Sequence, residues 1–176
     1  MAEKDTPLRA ELIRLIESGR HLLIGAQALI QYTQPRFTAD TDYAVGTKLF
    51  QRVRKWFRDN ADQVAFCDEG EAIRSESLAV DVLNTVHNPV LAEVLKAETG
   101  LASREGLAAC KYVAMVSPAR GRERRLRDVA DFAALVLCEG FDSAKLLAYM
   151  VGPYTEQRKT IERLIRDLEE DRPIQI

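Results

Sequence analysis

Three aspartates carry the clearest potential for chemistry. Asp40 and Asp42 stand one residue apart in the stretch TADTDYAV, residues 38–45. Side chains alternate along a strand, so both carboxylates are predicted to lie on one side, roughly 7 Å apart at their bases. Asp81 lies inside the apolar stretch LAVDVL, where an unpaired charge is costly to bury. Carboxylates on neighbouring strands repel one another, and a divalent cation removes that cost. Because Mg²⁺ prefers oxygen ligands and is often shared with substrate phosphates, these residues predict a site for Mg²⁺ or Mn²⁺.

Each aspartate also has a plain structural interpretation. An isolated Asp-x-Asp pair is common in turns and on surfaces, and Asp81 could be a strand-end aspartate bonded to backbone amides. The functional interpretation is preferred because the pair and Asp81 fall on separate predicted strands.

Lys111 is the second unusual charge. It lies in LAACKYVAMV, a predicted helix that is apolar almost all round, and it shares a face with Leu107 and Ala114. A lysine on such a stripe needs an anion. The anion could be a substrate phosphate, or the lysine could form an internal ion pair with Asp128 or Asp131 or extend to solvent.

A run of arginines, ARGRERRLR, follows that helix. In a chain of net charge −2 it forms a local basic patch that could bind a nucleic-acid backbone, such as that of tRNA, or a nucleoside triphosphate. The alternative is a solvated helix start with Glu123 paired internally, and this is preferred for Arg122, Arg124 and Arg125. The other arginines of the run are Arg120 and Arg127.

Composition places few limits on function. The 176 residues are enough for one domain with a real core, and the apolar (47%) and charged (30%) fractions are ordinary for a globular protein. The N-terminus lacks the apolar stretch of a signal peptide, and no run is long and apolar enough to span a membrane. Cys67, Cys110 and Cys138 are expected to be reduced core thiols, as in a cytoplasmic protein.

The periodicity predicts an α+β fold. Residues 1–86 are expected to form a small mixed β-sheet backed by helices, with strands at HLLIG, DTDYAV, QVAFC, EAIRSE and SLAVDVLNT. Residues 87–176 are expected to be all helical and packed on that core. Helix caps are predicted at Thr47, Asn88, Ser103 and Asp142, and YTEQRKTIERLIRDLEED is expected to be one closing helix.

The order of these features resembles the nucleotidyltransferase superfamily related to DNA polymerase β, in its minimal form. That family's signature is an apolar residue, Gly, then Gly or Ser, a gap, and Asp-x-Asp or Asp-x-Glu. Here it reads Ile24-Gly25-Ala26, thirteen residues, then Asp40-Thr41-Asp42-Tyr43. Asp81 falls where the family has its third carboxylate. Ala26 replaces the usual Gly or Ser, and Thr41 an apolar residue that is commoner there.

The second half extends the resemblance. The pattern from Lys111 through the arginines to Asp128 and Asp131 is similar to that of the abortive-infection toxin nucleotidyltransferases and their uncharacterised relatives. The match covers roughly residues 5–137.

The resemblance implies metal-dependent transfer of a nucleoside monophosphate from a nucleoside triphosphate to a hydroxyl acceptor. Asp40, Asp42 and Asp81 would be the catalytic and metal-binding residues. The phosphates would be bound by Gly25, Ala26, Arg36, Thr38 and Lys111. The favoured acceptors are tRNA or a protein, with a small molecule such as an aminoglycoside as the alternative, and the protein could be a toxin with a protein antitoxin. The alternatives are a nucleotide-binding pseudoenzyme, suggested by Ala26, and an interaction protein in which the carboxylates have no catalytic role.

Overall fold

A mixed β-sheet forms the centre of the molecule. The computed structural model describes residues 6–34, 38 and 40–173. The strands are β1 (His21–Ile24), β2 (Thr41–Val45), β3 (Cys67–Asp68), β4 (Ala72–Ser75), β5 (Val80–Asn84) and β6 (Gly100–Leu101). They form one six-stranded sheet in the order β3-β4-β5-β2-β1-β6. β2 runs parallel to β5 and antiparallel to β1, β6 runs parallel to β1, and β4 is antiparallel to both β3 and β5.

Helices surround the sheet. They are α1 (Pro7–Glu17), α2 (Gly25–Leu29), α3 (Thr47–Asp59), α4 (Pro89–Ala97), α5 (Arg104–Val116), α6 (Arg122–Val136), α7 (Ser143–Tyr149) and α8 (Arg158–Glu169), with 3-10 turns at Thr85–His87 and Gly152–Gln157. The α+β class predicted from the sequence is therefore confirmed.

The two faces of the sheet are buried by different helices. On one face Tyr43 and Val45 of β2, with Val80 and Val82 of β5, pack against α1 and α3. On the other face Leu22 and Ile24 of β1 and Ala44 of β2 pack against residues of α2 and α4–α8. Because side chains alternate along a strand, the even-numbered residues of β2 and the odd-numbered residues of β5 belong to this second face.

Side-chain caps fix several helix starts, as predicted. Asn88 Oδ1 accepts a hydrogen bond from the Leu91 amide at the start of α4, and Ser103 Oγ accepts one from the Gly106 amide at the start of α5. Asp142 Oδ1 accepts one from the Lys145 amide at the start of α7. Such caps satisfy amides that have no partner within the helix.

Several boundaries differ from the predicted ones. The N-cap of α3 is Gly46, and Thr47 is the first helical residue, with its hydroxyl donating to Asn84 Oδ1. The strand predicted at QVAFC is reduced to β3, because only Cys67 and Asp68 pair with β4. The closing helix begins at Arg158, after a 3-10 turn.

Two further expectations require correction. The part predicted to be all helical contains β6, which extends the sheet beside β1. The three cysteines are free thiols, but Cys67 lies exposed in β3 and is not a core residue. Across the described residues, no helix combines the length and apolar character needed to cross a membrane.

Candidate active site

Asp42 and Asp81 stand side by side on the two central strands. They are in register on the parallel pair β2 and β5. Both lie on the face of the sheet that α4–α8 cover, because their strand neighbours Tyr43, Val80 and Val82 point to the opposite core. The predicted placement of these two aspartates on adjacent strands is confirmed. Asp40 immediately precedes β2 and is exposed.

Gly25 provides the backbone beside Asp42. Ile24, the last residue of β1, is in register with Asp42, so the next residue turns away directly beside the carboxylate. Gly25 has a φ of +67°, and a Cβ there would lie 1.8 Å from Asp42 Oδ2. Only glycine combines this left-handed conformation with such a close approach. The glycine of the sequence signature therefore lies against the second aspartate of the pair.

The pKa of Asp42 reflects this crowding. Burial, followed by the charges of Asp81 and Asp40, raises the pKa of Asp42 from 3.8 to about 6, although Lys111 and Arg74 act in the opposite direction. Burial also raises the pKa of Asp81, against the attraction of Arg74 and with added repulsion from Asp40. The carboxylates thus carry unfavourable electrostatic energy that a bound cation would relieve.

Arg74 is a site residue that the sequence analysis missed. It is in register with Asp81 on the antiparallel neighbour β4, and its Nη1 lies 3.2 Å from Asp81 Oδ2. Its Nε lies 3.1 Å from Glu69 Oε2. The sequence contained a signal for this pairing. Only four residues join β4 and β5, and counting outward from that turn along both strands places Arg74 opposite Asp81.

Lys111 is engaged in an internal ion-pair network. Its Nζ lies 2.9 Å from Asp128 Oδ1 and 2.7 Å from Asp131 Oδ2. The Asp128 side chain is only 2% exposed, and its second oxygen lies 2.6 Å from Arg120 Nε. Lys111 therefore forms the internal ion pair that the sequence left open as an alternative to a substrate phosphate, and its phosphate-binding role stays a prediction. Helix α5, which carries Lys111, packs against α2 beside the candidate site, and the Lys111 charge lowers the pKa of Asp42.

The remaining predicted phosphate-binding residues have different outcomes. Ala26 is the second residue of α2, directly after Gly25. The Thr38 hydroxyl donates a hydrogen bond to the Asp40 carbonyl oxygen, at 3.3 Å. Arg36 lies outside the described residues.

The three aspartates suit a divalent cation by donor type and by placement. They supply only oxygen donors, and two of them are adjacent in register. As the side chains stand, however, no three His, Cys, Asp or Glu groups within residues 6–34, 38 and 40–173 are arranged to hold a metal ion. The convergence of all three carboxylates on one cation therefore stays a prediction. Asp81 is held by Arg74, so it would have to exchange that partner for a cation.

A groove lies next to this arrangement rather than over it. It has a volume of about 660 Å³ and runs between the segment after α2 and helix α6, lined by Tyr32, Gln34, Asp131 and Cys138 among others. None of the three site aspartates contributes to its lining. It borders the candidate site through Asp131, which contacts Lys111.

Comparisons with known proteins identify no family for this chain. No protein-family model matches the chain, and no curated protein matches it. The resemblance described above therefore depends on the residues of its motifs alone.

Proposed function

We propose that this protein is a metal-dependent nucleotidyltransferase, which moves a nucleoside monophosphate from a nucleoside triphosphate to a hydroxyl acceptor. The observation that supports this most directly is the arrangement of Gly25, Asp42 and Asp81. A glycine that permits close backbone approach lies against one of two carboxylates paired in register. A phosphate group and a cation could share such a position.

Each residue of the candidate site would have its own role in this reaction. Asp40, Asp42 and Asp81 would hold Mg²⁺ or Mn²⁺, which when bound would orient the triphosphate and lower the pKa of the acceptor hydroxyl. If Asp81 also touches the acceptor hydroxyl, it could accept the hydroxyl proton as a general base. Arg74, which lies on the neighbouring strand, would balance charge on the phosphates once Asp81 releases it.

The nature of the acceptor belongs to the same proposal. A tRNA or a protein is favoured, and a small molecule such as an aminoglycoside is the alternative. On the same basis the chain would act in the cytoplasm as the toxin of a toxin–antitoxin pair, with a protein antitoxin as its partner. These assignments follow from the motif resemblance.

A second candidate is a nucleotide-binding pseudoenzyme. Two observations favour it: Ala26 offers no hydroxyl to a phosphate, and the Lys111 ammonium is already held by Asp128 and Asp131. Such a protein would bind metal and nucleotide without transfer. A pure interaction protein would bind neither.

The deciding experiment measures pyrophosphate release. Purified protein is incubated with labelled nucleoside triphosphates and Mg²⁺, in the presence of total tRNA, cell lysate or an aminoglycoside. We expect pyrophosphate release and transfer of label to an acceptor. Asp40→Ala and Asp81→Ala should abolish both, because the reaction depends mainly on positioning and charge stabilisation.

Ala26→Ser serves as the matched variant for the pseudoenzyme. The added hydroxyl should leave activity unchanged or increase it. Triphosphate binding by the wild type without pyrophosphate release, combined with release by Ala26→Ser, would select the pseudoenzyme. The absence of metal and nucleotide binding would select the interaction protein.

A further inference from the structure

The turn before α6 and the first residues of that helix form a strongly basic surface. We define the arginine segment as residues 120–127, which contain five arginines and one glutamate and so carry a net charge of +4, in a chain of net charge −2. Each of these arginines is exposed. Helix α8 also has exposed basic residues, but its acidic residues reduce its net charge to +1.

The arginines differ in their partners. Arg120 pairs with the buried Asp128, and Arg127 pairs with Glu123 one turn earlier. Within the described part of the chain, Arg122, Arg124 and Arg125 make no ion pair or hydrogen bond. Three unpaired guanidinium groups in four residues repel one another and remain available to an external anion.

The position of the segment connects it to the candidate site. Arg120 contacts Asp128, and Asp128 contacts Lys111 of α5. Helix α5 packs against α2, whose first residue, Gly25, lies against Asp42. The segment therefore begins two ion-pair contacts away from a lysine on the helix that packs beside the candidate site. A long anion bound to the arginines could extend to those aspartates.

We infer that the arginine segment is a binding surface for the phosphodiester backbone of RNA. Arginine binds phosphate oxygens in a bidentate manner, and contacts to the backbone need no sequence-specific pocket. RNA is chosen over DNA because the proposed reaction needs a hydroxyl acceptor and every ribose carries a 2′-hydroxyl. The choice of RNA over DNA and the role of the bound RNA as acceptor rest on the proposed function, whereas the binding of a phosphodiester backbone by the arginines does not.

The test is a binding titration of the full chain with a fluorescent RNA oligonucleotide over a range of salt concentrations. Arg124→Glu/Arg125→Glu should weaken binding by roughly tenfold or more, and should lower the slope of log K against log salt by about 1.4, because two phosphate contacts to a single strand are lost. The matched control is Arg163→Glu/Arg166→Glu, which makes the same charge change at exposed positions of α8 and should have much less effect.

Several outcomes would overturn the inference. These are equal loss of binding in both double variants, no loss in the α6 variant, tighter binding of a DNA duplex than of RNA, and binding of polyglutamate without binding of RNA. Circular dichroism of each variant confirms that it is folded.

Asp42→Asn separates the two proposals, because it should retain RNA binding. RNA binding without pyrophosphate release would reject the proposed function and support the binding surface. Pyrophosphate release without RNA binding would support the proposed function and reject the binding surface.

Discussion

The carboxylate of Asp42 occupies the space that any side chain at residue 25 would need. A Cβ at Gly25 would lie 1.8 Å from Asp42 Oδ2 and 2.6 Å from its Cγ. The pair links the turn after β1 to the aspartate motif on β2, although seventeen positions separate the two residues in the sequence.

Gly25→Ala should therefore reduce both stability and metal binding. The left-handed conformation alone costs an alanine about 1–2 kcal/mol, and the collision adds to this, so we expect a loss of about 3 kcal/mol in the free energy of unfolding. Urea denaturation measures it. Gly70→Ala is the control, because Gly70 has a φ of +84° with nothing within 4 Å of the added Cβ, and it should lose only the conformational part. Equal losses at both positions would show that Asp42 does not crowd residue 25.

Asp42→Asn should change the pH dependence of stability. The folded protein holds the Asp42 proton with a pKa of about 6, against 3.8 in the reference state, so the wild type loses stability as the pH rises through that window. Asparagine does not titrate and avoids this loss. The variant should be more stable than the wild type by about 1–3 kcal/mol at neutral pH and should show little of this gain near pH 4.

Denaturant titrations at several pH values measure this difference. The control is Asp62→Asn, at an exposed position in the turn after α3. It removes one carboxylate charge at the surface and so provides the comparison for the change at Asp42. An Asp42→Asn variant less stable than the wild type at neutral pH would contradict the repulsion argument.

Divalent cations with nucleotide should raise the melting temperature. A ligand that binds only the folded state at 100 times its Kd adds about 2.7 kcal/mol to stability. Asp42→Asn should remove most of the response to Mg²⁺ or Mn²⁺. Because a protonated carboxylate is a poor ligand, the wild-type response should also shrink as the pH falls below about 6. A thermal shift that is unchanged in Asp42→Asn would mean that the cation binds elsewhere.

Lys111→Met should destabilise the fold strongly. It leaves the buried carboxylates of Asp128 and Asp131 without the ammonium group that now lies between them. Removing one partner of a buried ion pair typically costs about 3–5 kcal/mol.

The triple variant Lys111→Met/Asp128→Asn/Asp131→Asn tests the cause, because it removes both charges that the lysine compensates. It should recover much of the lost stability in chemical denaturation. A Lys111→Met protein as stable as the wild type, but unable to bind nucleoside triphosphate, would assign the lysine to the substrate after all.

The sequence could predict the placement of the aspartates because that placement follows from local rules. Alternation along β2 puts Asp42 and Ala44 on one side, and the apolar stretch around Asp81 identifies a central strand. Asp40 lies before the strand, where alternation no longer decides its direction. The capping residues Asn88, Ser103 and Asp142 could be predicted because capping is also a local interaction. Each side chain accepts a hydrogen bond from the backbone amide three residues later.

What the sequence could not decide depends on packing between elements. Whether Lys111 faces a substrate or Asp128 is set by how α5 lies against α6. The partner of Asp81 is set by the register of the β4–β5 hairpin, which places Arg74 beside it. The strand β6 is only two residues long, too short for a periodic pattern to appear.

The pairing of β6 with β1 has a consequence for how the chain can be divided. Residues 1–86 alone would lack α4–α8, which cover Leu22, Ile24 and Ala44, and would leave β1 as an open sheet edge. An uncovered apolar face next to an unpaired edge promotes aggregation. We therefore expect the two halves of the sequence to fold as one cooperative unit, and gene fragments that separate them to yield insoluble protein.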